Sequence, residues 1–272
     1  MTNAIQHAPS DMTATVAGEV TVAALQARLA ENGQWLSLDP PSPERLTVAE
    51  ALARDLSGPR RFGYGTVRDY TIGLKAVLAD GRLISSGGKV VKNVAGYDVL
   101  KLFIGARHTL GAIVEATFKL RPLPECEQFV QKKCASLAEA GALLETIMDS
   151  PLSPVVLDLL PASILVLGLA GTREDVDWQC SRARGLGFRE PANLDYEKNF
   201  WTGEAQKISV LPSRLIETIA ALGDIPFVAR AGNGVIYCRG ATNLPKADLP
   251  VDLMRRVKAA FDPRGLLPAW PI

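Results

Sequence analysis

Histidine is scarce in this 272-residue sequence, which contains only two, His7 and His108. The four cysteines stand at positions 126, 134, 180 and 238, with no Cys-x-x-Cys spacing and no histidine nearby. Most acid–base chemistry relies on histidine, and zinc or iron–sulfur sites need clustered ligands. The sequence therefore argues against a Ser-His-Asp hydrolase, an HExxH metalloprotease and any metal site. It predicts free, mostly buried thiols.

The sequence also lacks a strong excess of positive or negative charge, and it lacks long apolar runs. The formal net charge is +1, whereas a nucleic-acid-binding domain is usually strongly basic. No apolar run approaches the ~18 residues that a membrane span needs, and the first eleven residues do not resemble a signal peptide. We therefore expect no nucleic-acid partner, no transmembrane segment, and a cytoplasmic location or a membrane-peripheral one through partners. The 47% hydrophobic content is enough for one large domain or two ordinary ones.

The standard phosphate-binding motifs are also absent. There is no GxxxxGK[ST] sequence, and the pairs Gly185-Leu-Gly187 and Gly232-Asn-Gly234 lack the third glycine of a dinucleotide-binding fingerprint. Both pairs are interpreted as turns.

Glycine and positive charge are instead concentrated in one stretch, from Ser57 to Arg121. Ten of the 23 glycines lie between Gly58 and Gly111, and the stretch has eleven Lys and Arg against four Asp and Glu. Glycine lets a backbone turn sharply or approach a ligand closely, and positive charge attracts anions. This combination is typical of a site for a phosphate-bearing ligand.

The pattern of apolar residues predicts an α+β protein in two parts. The pattern predicts a strand, a helix and a second strand over residues 12–38, followed by a capping box at Thr47–Glu50. It also predicts a hairpin at Asp80-Gly81 and an alternating strand from Gly111. Prolines 122 and 124 indicate a domain boundary. Beyond it, strands interleave with candidate helices at 136–149, 173–186, 213–222 and 250–261, which predicts a split β-α-β sheet with helices on one face.

The segment SGPRRFGYGTVRD, residues 57–69, has two interpretations. It is either an arginine-bearing surface loop, or a cradle in which the backbone at Ser57 and Gly58 faces a pyrophosphate. In the second case Arg60, Arg61 and Arg68 supply positive potential, and the Tyr64-Gly65 turn lies against a ring system.

The pattern SGPRR-x-x-YG-x-VRD is followed by GGKVVKNVAGYD-x-x-KL and then by TLG-x-I-x-E-x-T-x-K-L-x-P. Together these motifs resemble the FAD-binding domain of the vanillyl-alcohol-oxidase/PCMH-type flavoproteins. Within that superfamily the chain is most similar to the smaller, FAD-binding subunits of bacterial glycolate oxidase. The resemblance is strong over residues 57–124 and continues more weakly on both sides.

The resemblance implies a fold, a cofactor and partners. It implies a PCMH-type FAD-binding domain over residues 1–124 and an α+β cap domain with a C-terminal helix and tail over residues 125–272. FAD would be bound noncovalently, in a subunit that oxidises a 2-hydroxy acid in glycolate catabolism beside a larger flavoprotein subunit and an iron–sulfur subunit. No residue is nominated as the catalytic base. The implied cofactor-binding residues are Ser57, Gly58, Arg60, Arg61, Tyr64, Gly65, Asp69, Asn93, Gly96, Tyr97, Gly111 and Ile113.

The chain departs from the family pattern in three respects. It begins after the family's first β-α-β unit, so we expect a partial FAD-binding domain or a truncated sequence. Ala49-Glu50 replaces a Gly-Gly pair, and a glutamate ~4 Å from a phosphate is repelled by about 4 kcal/mol at an effective dielectric constant near 20; Asp55 adds a second negative charge. His108 replaces a glycine and is expected to be a surface turn residue rather than a covalent flavin anchor. The alternative is therefore a cofactor-free assembly subunit.

Overall fold

The computed structural model describes residues 4–88, 99–203, 205–240, 242 and 249–270. The strands are β1 Ile5–Ala8, β2 Thr13–Ala17, β3 Gln34–Trp35, β4 Thr71–Val77, β5 Leu83–Gly87, β6 Ala112–Lys119, β7 Arg121–Pro122, β8 Cys126–Lys133, β9 Val156–Leu160, β10 Ile164–Gly171, β11 Glu190–Pro191, β12 Gln206–Ser209, β13 Phe227–Arg230 and β14 Val235–Cys238. The helices are α1 Val22–Ala30, α2 Val48–Ala53, α3 Arg61–Tyr64, α4 Val67–Tyr70, α5 Leu100–Phe103, α6 Leu137–Met148, α7 Arg173–Gly185, α8 Asp195–Phe200, α9 Leu215–Leu222 and α10 Val251–Phe261.

The chain folds into two units. Unit 1 comprises Met1–Gly58, Gly65–Leu123 and Asp248–Ile272, and unit 2 comprises Pro59–Tyr64 and Pro124–Ala247. The second segment of unit 1 ends at Leu123, between Pro122 and Pro124, and two segments are grouped differently from the predicted domains 1–124 and 125–272, which stay a prediction. The C-terminal helix α10 was expected in the second domain, and the short segment Pro59–Tyr64 in the first.

Contacts within each unit explain both differences. In unit 1, Phe261 of α10 packs edge-to-face on Phe103, with ring centroids 5.7 Å apart. Lys258 donates a hydrogen bond to the Thr109 carbonyl over 2.8 Å. In unit 2, the Gly63 amide donates to the carbonyl of Val155 over 3.2 Å. Such contacts between residues far apart in sequence have no local pattern, so the sequence does not predict them.

Unit 1 is built on a five-stranded sheet in the order β1-β2-β6-β4-β5, with antiparallel pairing throughout. The predicted hairpin at Asp80-Gly81 is confirmed as the β4–β5 turn. The predicted alternation along β6 holds for Ala116 and Phe118, which are buried, but not for Val114, which is exposed. The register between β4 and β6 shifts at Lys75 and Ala76, and the irregularity turns Val114 away from the core.

Unit 2 contains a seven-stranded antiparallel sheet in the order β11-β8-β10-β9-β13-β14-β12. Apolar residues of α6, α7 and α9 pack with alternate strand residues, such as Leu157 and Leu167, in one core on one face of the sheet. This agrees with the predicted helix layer. The other face carries a smaller cluster that includes Phe200 of α8. The predicted free thiols are confirmed: all four cysteines are free, and three of them are buried.

A group of polar side chains, which we call the Arg230 cluster, is buried on this second face of unit 2. Arg230 is 1% exposed, and its guanidinium bonds both to Asp158 of the neighbouring strand and to Glu197 of α8. The Tyr196 hydroxyl bonds to the same Asp158 oxygen over 2.7 Å, and the Trp201 indole N–H donates to Glu197 over 2.9 Å. A buried charge must be paired, so these bonds hold α8 against the sheet.

Replacing Arg230 alone should destabilise unit 2. The change Arg230→Met leaves two buried carboxylates without their cation, and it is expected to lower the free energy of unfolding by about 3–5 kcal/mol. Denaturant unfolding of the whole chain measures this change. The matched control Arg255→Met removes an exposed arginine and should change stability by less than about 0.5 kcal/mol. Equal effects of the two changes would contradict the prediction.

The stability of unit 2 should also depend on pH through Asp158. Burial raises the pKa of Asp158 from 3.8 to about 6, opposed by Arg230 and reinforced by Glu197. The folded chain therefore keeps a proton that the unfolded chain has already lost, so the free energy of unfolding falls as the pH rises from about 4 to about 6. Asp158→Asn cannot titrate, and the wild type should lose more stability than this variant between about pH 4 and about pH 6. Identical pH profiles of the two proteins in denaturant unfolding would refute this assignment.

Candidate functional site

Ser57 and Gly58 open the glycine-rich segment, and both are fixed by unit 1 itself. The Ser57 side chain is 1% exposed, and its hydroxyl oxygen accepts a hydrogen bond from the Val67 amide over 3.0 Å. Gly58 has φ +77°, and a Cβ there would collide with the backbone of Asp39. Glycine is therefore required at this turn by the chain's own close approach, whatever else it faces.

Gly65 and Asp69 form a second fixed point. Gly65 has φ +92°, and the Asp69 carboxylate accepts bonds from the Thr66 amide over 2.7 Å and the Thr66 hydroxyl over 2.8 Å. Partial burial acts to raise the pKa of Asp69, but the bonds from Thr66 outweigh it and the pKa lies below its ordinary value. Asp69 is thus an ionised cap of helix α4.

The three arginines of the segment have different surroundings. Arg60 makes a two-point ion pair with Glu127, over 2.7 Å and 2.5 Å, and stacks on Phe129. Its charge is paired with Glu127 within unit 2, and a contribution of Arg60 to the positive potential at a phosphate stays a prediction. Arg68 is exposed and donates to the carbonyl of Lys101 over 2.9 Å.

Arg61 differs from both. Its Nε and Nη1 atoms are buried, and they have no hydrogen-bond partner. A guanidinium always carries its charge, and a buried donor without an acceptor costs about 1–3 kcal/mol or more. Among the described residues of the predicted site, Arg61 therefore has buried donors that lack an acceptor.

At the far end of the predicted site lie Gly111 and Ile113. A Cβ on Gly111 would lie 2.8 Å from the carbonyl oxygen of Val77, so this glycine also permits a close approach within unit 1. Ile113 is buried and stands opposite Ala76 in the sheet.

Tyr64 ends helix α3 in unit 2. The remaining predicted residues, Asn93, Gly96 and Tyr97, lie outside the described residues.

The start of helix α2 holds the Ala49-Glu50 pair. The amides of Val48 and Ala49 donate to the carbonyls of Val20 and Gly18 over 2.8 Å and 2.9 Å. The Glu50 amide donates to the Thr47 hydroxyl over 3.2 Å. These three donors are therefore engaged by unit 1 itself, and none is left over for a phosphate.

The Glu50 carboxylate does not complete the predicted capping box. It lies 3.3 Å from the imidazole Nε2 of His108 and 3.6 Å from the Arg54 guanidinium. His108 lies in a turn with φ +60°, as Arg107 does with φ +50°. The expected negative charge at this helix end is thus present, and the Arg54 guanidinium partly compensates it.

Sequence reasoning missed the Arg230 cluster. Its only local signal is a charged residue inside each of two apolar strands, Asp158 in VVLDLL and Arg230 in PFVAR. A charged residue is almost never buried without a partner. The two residues together therefore indicate a buried ion pair. Among the described residues, no group of His, Cys, Asp and Glu could hold a metal ion, and no helix is long and apolar enough to cross a membrane.

Comparison with known proteins identifies the first unit most clearly. A family model described as "FAD binding domain" matches residues 1–87. Glycolate oxidase subunit GlcD of Bacillus subtilis is 35% identical over 158 residues, which are 58% of this chain and 33% of that protein. Glycolate oxidase subunit GlcE of Escherichia coli is 33% identical over 137 residues, which are 50% of this chain and 39% of that protein.

Two further matches extend this result. D-lactate dehydrogenase of Archaeoglobus fulgidus is 47% identical over 88 residues, or 32% of this chain and 20% of that protein. The solved structure of an alkyldihydroxyacetonephosphate synthase superposes with a TM-score of 0.70, covering 96% of this chain and 65% of that one, at 15% identity. This last likeness shows the fold alone. The chain spans only 20–39% of the length of the three curated relatives.

The matched domain lies in the half of the chain that carries the glycine-rich segment, and the solved structure shares the fold of both units. Residues 1–87 thus match an FAD binding domain, and parts of the chain are similar to glycolate oxidase subunits and to a D-lactate dehydrogenase.

Proposed function

We propose that this chain is the FAD-binding subunit of a complex that oxidises a small 2-hydroxy acid to a 2-oxo acid, with FAD held noncovalently. The observation that carries the proposal is the match of residues 1–87 to the FAD binding domain. Identities of 35% and 33% to two glycolate oxidase subunits support the substrate class. The same relatives support a larger flavoprotein subunit as a partner, and we extend the proposal to an iron–sulfur subunit and a cytoplasmic location.

The residues present fit a dinucleotide cofactor at one point in particular. FAD carries a pyrophosphate, and the two buried, unpartnered N–H donors of Arg61 are the groups that an anionic phosphate oxygen satisfies. Ser57 and Asp69 do not compete for this role, because both are already bonded to backbone amides of unit 1.

Bound FAD supplies the chemistry of hydride acceptance from the α-carbon of the substrate. The share of this chain is binding and orientation. Arg61 would hold a phosphate through charge-assisted hydrogen bonds. Asp69 holds the start of α4 at the end of this segment through its bonds to Thr66.

A specific observation favours a second candidate, a cofactor-free assembly subunit. The first amides of α2 are all engaged, and a carboxylate stands beside them at Glu50. A helix end in this condition does not attract an anion. The two candidates differ in one measurable property, which is whether the purified chain takes up FAD.

Purified protein should show a flavin absorbance band at about 450 nm, or acquire it after incubation with FAD. Arg61→Met should weaken FAD binding by about 10-fold to 100-fold, because it removes hydrogen bonds to a charged group. Quenching of flavin fluorescence during titration measures the dissociation constant. The control Arg189→Met removes an exposed arginine of the same unit and should leave it unchanged. A colourless wild type that takes up no FAD would establish the second candidate.

Glu50 should weaken FAD binding if the cofactor's pyrophosphate approaches α2. Removing the charge with Glu50→Gln is then expected to tighten FAD binding by about threefold to tenfold, and salt should diminish this gain. The control Glu31→Gln removes an exposed carboxylate of unit 1. An unchanged dissociation constant in the Glu50 variant would show that no phosphate lies near this helix end.

A further inference from the structure

The ion pair between Glu197 and Arg230 has the geometry of a ligand carboxylate on an arginine. Arg230 donates from Nη1 to one oxygen of Glu197 over 2.9 Å, and from Nη2 to the other oxygen over 2.6 Å. This two-point arrangement is the one in which arginine recognises free carboxylic acids. Glu197 is thus seated where a carboxylate ligand would bind.

Arg230 does not depend on Glu197 for its position. Strand β13 places Arg230 directly opposite Asp158 of β9, and Nη1 donates to the Asp158 carboxylate over 2.5 Å. The face of Tyr237 lies 5.7 Å from the guanidinium carbon. All three residues belong to the sheet, so the guanidinium stays oriented when Glu197 is withdrawn.

Two polar atoms of this pair have no partner. The Nε donor of Arg230 and the Oδ1 acceptor of Asp158 are both buried without a hydrogen bond, in side chains that are 2% and 1% exposed. Unpaired buried groups are rare and usually indicate a missing water, ion or ligand. A ligand carboxylate can take the position that Glu197 occupies on Arg230. A hydroxyl group on the same ligand can bond to the unpaired donor and the unpaired acceptor.

Helix α8, which carries Glu197, is held on the sheet by the bonds of the Arg230 cluster and by the packing of Phe200. Helix α8 has only six residues and no side-chain bond at its N-cap. The cluster also contains two carboxylates for one guanidinium, so one of them exceeds what charge pairing requires. An incoming carboxylate replaces Glu197 without changing the charge of the site.

We propose that Arg230 and Asp158 form a binding site for a 2-hydroxy acid, and that Glu197 of α8 occupies its carboxylate position in this structure. The substrate carboxylate binds Arg230, and its hydroxyl group donates a hydrogen bond to Asp158. Helix α8 is the lid, and Glu197 competes with the substrate for Arg230. The substrate class rests on the proposed function, whereas the carboxylate seat rests on unit 2 alone.

Glycolate binding to the full chain tests the proposal, with Trp201 fluorescence as the readout. The Trp201 ring lies 5.3 Å from Phe200 and 4.9 Å from Tyr237, and its indole N–H bonds to Glu197, so displacement of α8 changes its emission. Glu197→Gln should lower the dissociation constant of glycolate by about tenfold, because a neutral side chain competes weakly for Arg230. The matched control Asp195→Asn removes an exposed carboxylate of the same helix and should bind glycolate as the wild type does.

Acetate tests the role of Asp158, because it has the carboxylate of glycolate but not its hydroxyl group. The Glu197→Gln variant should bind glycolate several-fold more tightly than acetate, by about the value of one hydrogen bond. Adding Asp158→Asn to this variant should abolish the preference, and adding Trp201→Phe should abolish the fluorescence response. Isothermal calorimetry measures the same dissociation constants and does not depend on Trp201. It therefore replaces fluorescence if the change in Trp201 emission is small.

Two results would overturn the proposal. One is a Glu197→Gln protein that binds glycolate no better than the Asp195→Asn control, and the other is an equal affinity for acetate and glycolate. Both measurements use protein without added FAD, so they are independent of the 450 nm test of cofactor uptake. A chain that takes up FAD but fails the glycolate test refutes this inference alone, and the reverse result refutes the proposed cofactor alone.

Discussion

A guanidinium removed from water must find an anion, and this requirement organises the second unit. Arg230 satisfies it with Asp158 and Glu197, and the bonds join two strands and helix α8. Arg60 satisfies it with Glu127 and thereby ties the Pro59–Tyr64 segment to strand β8. Arg61 does not satisfy it within the described structure. Two of these arginines are thus paired with carboxylates, whereas Arg61 has two buried donor atoms without a partner.

Unit 1 is governed by close approach of the backbone to itself. Gly58 and Gly111 stand where any side chain would strike a neighbouring segment, so both are required by the fold. The first amides of α2 likewise bond within the unit. The fold itself therefore explains the glycines at these two positions, and only polar atoms left unpaired can distinguish a ligand contact from a turn.

Much of the local structure could be predicted from the sequence. The Asp80-Gly81 turn and helix α1, with Val22, Leu25 and Leu29 buried, follow from short-range patterns and are confirmed. The membership of α10 could not be predicted, because its partners Phe103 and Thr109 lie about 150 residues away in the chain. The exposure of Val114 also escaped prediction, since a register shift depends on the neighbouring strand.

The sequence by itself indicated an FAD-binding domain, because the motif from SGPRR to TLG is long and its residue types are specific, and a domain match over residues 1–87 supports this. It also determined the free thiols, since cysteine spacing is a local property. Only the tertiary structure decided which arginines are paired with a carboxylate. Arg60 and Arg61 are adjacent and chemically identical, and the difference between them is a carboxylate that folding brings from position 127. Electrostatic pairing acts through space, so sequence order does not reveal it.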